Sequence, residues 1–173
     1  GPSGVGKNTL VDAVLAEYSK IKYFKKDTER DKRPDDRDTE ANFITPTEYV
    51  ERKSKHKFFP PYEVRGKGYG LPAESFAELK DDPRIICLSD FDLIRSLGDI
   101  FDTTKIYVTA PKDVIIGRLT QRGDTDEQRQ RSIDSVEGHL QKYARFRELF
   151  DYEITNGEDL EAAQKEMLGI VKD

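Results

Sequence analysis

The chain has 173 residues, of which 36% are charged and 35% hydrophobic, and it carries a net charge of −5. That length suits one α/β domain with a real core, and the acidic balance excludes a general affinity for nucleic acid. Cys87 stands alone in an apolar run, so a disulfide framework is excluded and a buried core thiol is expected; no apolar stretch reaches the roughly 18 residues of a membrane span, and no signal peptide is visible, which points to the cytoplasm.

The first nine residues, Gly1-Pro2-Ser3-Gly4-Val5-Gly6-Lys7-Asn8-Thr9, have the form G-x-x-x-x-G-K-x-T. Glycines at 1, 4 and 6 let the backbone curl so that several N–H groups aim at one anion. A helix predicted from about Lys7 adds the positive end of its dipole at the same point. Lys7 supplies a mobile cation, and the hydroxyl of Thr9 stands ready for phosphate or Mg²⁺. Asn8 separates that hydroxyl from the lysine, as in the loops of nucleoside monophosphate kinases, which this one resembles. Gly1, Ser3, Gly4, Val5, Gly6, Lys7, Asn8 and Thr9 are therefore expected to hold a nucleoside triphosphate. Such a loop ordinarily follows a buried strand, so a first core strand is expected before residue 1.

Residues 25 to 71 read as an insertion. The run 25–40 is almost wholly charged and has no apolar helical face. A helix is predicted over 46–53, and Gly66-Lys67-Gly68-Tyr69-Gly70 reads as a hairpin turn leading to Pro72 and a further helix. Beyond it, apolar β-type runs at 84–89, 105–109 and 152–155 predict short buried strands. Helical patterns at 92–97, 111–122, 126–150 and 160–171 separate or follow them. This alternation predicts a mostly parallel, doubly wound α/β sheet formed by 1–24 and 72–173, with the insertion over its carboxyl edge. His56 and His139 lack ligand partners in sequence and are expected at the surface, with no zinc site.

Arg118 and Arg122 lie one helical turn apart, so both guanidinium groups are expected on one face. Gly123-Asp124-Thr125-Asp126 follows as a flexible tip, with Arg129 and Arg131 after it. Phosphoryl transfer asks mainly for positive charge around the migrating group, and such a set suits it.

These passages resemble the guanylate kinase family nearly end to end. The likeness rests on the opening loop, Arg30-x-x-Arg33, Gly66 to Gly70, Arg118-Leu119-x-x-Arg122-Gly123 and Tyr152-Glu153-Ile154-Thr155-Asn156. It implies a P-loop kinase fold with a core, an acceptor-binding insertion and a lid over about 118–135. The reaction implied is transfer of the ATP γ-phosphoryl to a nucleoside monophosphate, GMP by default, with Mg²⁺. By the same resemblance Arg118 and Arg122 clamp ATP phosphates and Arg131 (with Arg129 as its rival) reaches the γ-phosphoryl. Asn156 contacts the ATP base. Arg30 and Arg33 hold the acceptor phosphate with Thr28 and Tyr69, and Asp90 (or Asp92) serves a Mg²⁺-bound water or an acceptor hydroxyl.

The chain leaves the family pattern where guanine is read. Pro60 stands where a glutamate is expected, Leu71 replaces a small hydroxyl residue, and Ala41 replaces a tyrosine. A charge-assisted hydrogen bond is worth about 1.5–3 kcal/mol, so guanine discrimination should fall by roughly 10- to 100-fold. Glu63 and Glu40 are the candidate replacements. Two alternatives stay open beside the nucleotide kinase. One is a phosphosugar kinase similar to ribose 1,5-bisphosphate kinase; the other is a catalytically inactive binding module of guanylate-kinase type. For either kinase the partner is a small phosphorylated acceptor; no nucleic acid or membrane partner is expected, and no oligomeric state is implied.

Overall fold

The computed structural model describes residues 1–32, 36, 38–80 and 83–172. In chain order the elements are α1 (Lys7–Glu17), β1 (Lys22–Tyr23), β2 (Lys26–Thr28), β3 (Ala41–Phe43), α2 (Pro46–Ser54), β4 (Tyr62–Val64) and β5 (Lys67–Gly70). A 3-10 segment (Ala73–Lys80), β6 (Arg84–Ile85), α3 (Phe91–Ile100), β7 (Ile106–Thr109), α4 (Lys112–Gln121), α5 (Asp126–Arg145), a 3-10 turn (Arg147–Leu149), β8 (Tyr152–Thr155) and α6 (Leu160–Lys172) complete it. The chain divides into two compact units, one of Gly1–Glu17 with Cys87–Asp173 and the other of Tyr18–Ile86.

In the first unit β7 and β8 pair in parallel, Ile106 beside Tyr152 through to Thr109 beside Thr155. Parallel strands need a crossover, here supplied by α4 and α5. Leu10, Val11 and Val14 form the buried stripe of α1, which lies against α6. With Val5, Tyr107, Ile115, Leu119, Val136 and Ile154 they make the apolar centre of this unit. Local chemistry sets the helix starts. Asp90 caps α3 by accepting from the Leu93 N–H at 2.8 Å, and Thr125 with Gln128 closes a capping box on α5.

The helix predicted to run to 150 stops at Arg145, because the rings of Phe146 and Phe150 turn onto Phe91, with centroids at 5.6 and 5.7 Å. His139, expected at the surface, also lies in this aromatic group, 5.1 Å from the Phe91 ring. Cys87 is half-buried rather than a core thiol.

The second unit holds a four-stranded sheet in the order β3-β2-β5-β4 and the parallel pair β1-β6. The strand predicted over 84–89 is reduced to Arg84–Ile85 because its partner is short: after Phe24, whose N–H donates to Ile85 at 2.8 Å, the chain turns away into β2. β2 lies inside the charged run that showed no apolar periodicity. Its Asp27 is fully buried, accepting from Asn42 at 2.8 Å and pairing with Arg52 of α2. The predicted turn at 66–70 is tighter than expected. Arg65 and Gly66, with φ of 54° and 71°, make a two-residue hairpin loop, and the next four residues form β5. After Pro72 the expected helix is a 3-10 segment whose Phe76 packs on Phe24 and Phe59.

Candidate active site

The opening loop has the geometry its sequence predicts. Gly4 and Gly6 have φ of 86° and 81°, the left-handed region that side-chain-bearing residues avoid. Close approach forbids side chains as well. A Cβ at Gly6 would lie 2.3 Å from Asn156 Nδ2, and one at Gly1 would lie 1.9 Å from the Val108 carbonyl oxygen of β7. α1 then begins at Lys7, aligning its N-terminal N–H groups with the loop. The Lys7 ammonium donates across the loop to the carbonyls of Gly1 and Pro2 at 2.8 and 2.6 Å. Ser3 and Asn8 are half-buried, Val5 is buried, and Thr9 is exposed on the first turn of α1.

Asn156, expected at the ATP base, stands against the opening loop. Its side chain is 1% exposed and donates to the Val5 carbonyl at 2.8 Å, fastening the loop to the end of β8. Arg118 comes to the same place, donating to the carbonyls of Asn156 and Gly157 at 2.9 and 2.7 Å. Arg122 does not continue the helix as predicted. α4 ends at Gln121 and Arg122 is extended, with Nη1 at 3.5 Å from Ser3 Oγ and Nε at 3.8 Å from Asp124. The two arginines thus reach the loop from different sides rather than from one helical face. Arg131 is exposed and ion-paired with Glu127 one turn away. Arg129 turns back to the Asp124 carbonyl at 3.2 Å and Asp126 at 2.8 Å. Asp90 has one carboxylate oxygen committed to the α3 cap, and Asp92 lies in the first turn of that helix.

In the second unit, Arg30, Thr28 and Tyr69 come together on one side of the sheet. The Thr28 hydroxyl, expected to face a phosphate, is buried. It donates to the Gly68 carbonyl at 3.2 Å and accepts from the Arg30 N–H at 3.3 Å, shaping the exit from β2. The Arg30 guanidinium lies 5.0 Å above the Phe43 ring and grips Asp36 with both Nη atoms, at 2.5 and 2.7 Å. Burial opposes its charge, but the hydrogen bonds to Asp36 and to Tyr69 raise its pKa above the ordinary arginine value. A carboxylate in that fork presents the two-oxygen edge that a phosphate also offers. Arg33 lies outside the described residues.

Several residues here had no readable sequence signal. Asp36 was one acid in a charged run, and Asp27 with Arg52 is joined only by tertiary packing. Glu63, a candidate guanine reader, is directed away. It pairs across β4–β5 with Gly68, on the opposite side from Tyr69, and its charge helps raise the Tyr49 pKa after burial and Glu29. Leu71 is wholly buried and Ala41 nearly so, so both are core residues of this unit.

The model of the guanylate kinase family matches residues 1–173. The chain is 30% identical over 176 residues to guanylate kinase from Symbiobacterium thermophilum, covering 99% of this chain and 81% of that one. It is 30% identical to guanylate kinase 1 from Oryza sativa over 96% of this chain, and spans only 45% of that longer protein. A bifunctional ribose 1,5-bisphosphokinase–thymidine phosphorylase from Cupriavidus necator is 28% identical over 71% of this chain and 20% of its own length. The crystal structure of guanylate kinase from Anaplasma phagocytophilum superposes with a TM-score of 0.69 at 16% identity, covering 95% of this chain and 80% of that one. The fold is therefore that of a P-loop kinase, as the resemblance implied.

Proposed function

Since the chain belongs to the guanylate kinase family, whose members are ATP-dependent phosphotransferases, we propose that it phosphorylates a nucleoside monophosphate whose phosphate is held at Arg30 and Tyr69. The observation that carries this reading is the opening loop, with its two left-handed glycines, Lys7 and the flanking Arg118 and Arg122. Backbone N–H groups and the α1 N-terminus bind the ATP phosphates. Lys7 exchanges its loop carbonyls for phosphate oxygens, and Arg122 stands at the loop mouth to balance charge on the migrating group. An oxygen of the acceptor phosphate attacks the γ-phosphorus, the bond to the bridging oxygen breaks, and ADP leaves. Phosphoryl transfer of this kind is dominated by positioning and charge, which is what these residues provide.

Thr9 is the residue that would hold Mg²⁺, which is usually bound through one or two protein oxygens together with substrate phosphates. Its exposed hydroxyl on α1 fits that role, and among the described residues no cluster of three or more His, Cys, Asp or Glu competes for a metal. When bound, the ion would neutralise phosphate charge. Arg33 is proposed as Arg30's partner. Among the described residues no helix is long and apolar enough to cross a membrane, and a cytoplasmic address is part of this reading.

The test is ADP release with GMP, AMP, CMP and ribose phosphates as acceptors. Turnover with a nucleoside monophosphate is expected, with GMP favoured over AMP by no more than about 100-fold, because no acid is present at Pro60. Turnover with ribose phosphates alone would replace this reading with the phosphosugar kinase, and no turnover with any acceptor would leave a binding module.

A further inference from the structure

Sheet register sorts the side chains of the second unit onto two faces. Residues directly across a ladder share a face. Phe43, Thr28, Tyr69 and Tyr62 are successive partners across β3, β2, β5 and β4, so they form one row. The other face carries Asn42, Asp27, Glu63 and the glycines of β5; Tyr49 and Phe58 close over Gly68 and Gly70 so tightly that a Cβ at either would lie within 2.4 Å of a ring. Arg30 stands at the Phe43 end of the first row and bonds Tyr69. At the far end Tyr62, half-exposed, stacks on Tyr69 with centroids 5.4 Å apart and planes at 24°. Neighbouring strands are about 4.8 Å apart, so Tyr62 lies one strand spacing beyond the phenol that neighbours the phosphate fork.

We propose that Tyr62 is a specificity-determining residue, and that with Tyr69 it forms an aromatic platform on which the planar base of the acceptor stacks. This rests on the reading that Arg30 and Tyr69 hold the acceptor phosphate. Three positions that could read a base by hydrogen bonds do not do so from this face: Pro60 has no acid, Leu71 is buried, and Glu63 points to the other side. An aromatic face accepts any base, because every base has a π-surface. The site therefore separates nucleoside monophosphates from phosphosugars, while discriminating weakly among bases.

The experiment measures binding of GMP, AMP and ribose 5-phosphate by calorimetry to the wild type, Tyr62→Phe, Tyr62→Leu and Arg30→Lys. Tyr62→Leu is expected to weaken GMP and AMP by a similar factor of about 10, within the range of base–aromatic stacking, and to leave ribose 5-phosphate unchanged. Tyr62→Phe should keep wild-type binding. An equal loss for ribose 5-phosphate, no loss for either nucleotide, or a loss confined to GMP would each overturn the platform. If Arg30→Lys leaves all three ligands unaffected, the phosphate is not held there and the underlying reading fails separately. Should Tyr62→Leu not fold, ring-proton shifts of Tyr62 in the wild type decide the matter. Upfield movement with GMP and AMP but not ribose 5-phosphate supports stacking, and no movement refutes it.

Discussion

Gly6 and Asn156 are predicted to be energetically coupled, and a double-mutant cycle measures it. Gly6→Ala meets two costs. Its φ of 81° holds an L-residue in the left-handed region, worth about 1–2 kcal/mol. Its new Cβ would also lie 2.3 Å from Asn156 Nδ2. That amide is buried and cannot swing into solvent, so it must leave the Val5 carbonyl, stranding a buried acceptor at about 1–3 kcal/mol. The single variant should therefore lose about 2–5 kcal/mol. Asn156→Ala alone loses the same hydrogen bond, about 1–3 kcal/mol. In the double variant the amide is already gone, so Gly6→Ala adds only its backbone strain, leaving a coupling of about 1–3 kcal/mol. Urea unfolding followed by circular dichroism gives the four stabilities, and thermal midpoints should shift by about 2–4 °C per kcal/mol for a chain of this size. Additivity to within about 0.5 kcal/mol would refute the reasoning and mean that Asn156 does not brace the loop.

Lys7→Ala should abolish ADP release while lowering stability by no more than about 1–3 kcal/mol, because the ammonium donates to two part-buried loop carbonyls. Arg122→Ala should lower turnover through loss of the cation 3.5 Å from Ser3 Oγ, and it should cost stability as well because Arg122 also faces the buried Asp124 carboxylate at 3.8 Å; full turnover in the folded variant would remove its proposed role. Tyr107→Phe should stabilise the chain by about 1 kcal/mol, because that hydroxyl is buried without a hydrogen-bond partner among the described residues. Its pKa is raised by burial and then by Tyr143 and Glu153, so the unfolded chain ionises first. The resulting stability is complete below the ordinary tyrosine value of 10.0 and is lost as the pH rises above it; the phenylalanine variant should show a shallower alkaline loss in urea midpoints.

Legibility differed between the two units for physical reasons. In the first, short-range patterns coincide with tertiary structure. The strand over 152–155 was read to the residue, and α6 begins where its capping segment placed it. The loop was legible because its glycines answer a local backbone demand. In the second unit the determinants are non-local. Asp27 lies in a buried strand only because Arg52, 25 positions later, neutralises it. Arg30 and Asp36 lie six positions apart in a charged run, yet nothing in the run distinguishes a gripping carboxylate from a solvated one. Arg122 misled for the opposite reason: a helical period continued on paper for one residue after the backbone had left the helix.

The same contrast bears on the proposed change of base reading beside an unchanged phosphate site. The anion site at the opening loop is made of main-chain groups whose directions follow from φ at Gly4 and Gly6, so it tolerates little variation. The segment before β4 is anchored differently. The Phe59 N–H donates to the Leu71 carbonyl at 2.8 Å, and Phe58 bridges Pro72, both through backbone alone. That anchoring holds whatever side chains stand at 60 and 62. A proline can therefore occupy position 60 without shifting the register, and position 62 still presents its side chain beside Tyr69. With Pro60 in place of an acid and the Tyr62 ring next in the row, base stacking is the recognition proposed for this face, and a broader choice of base would follow from it.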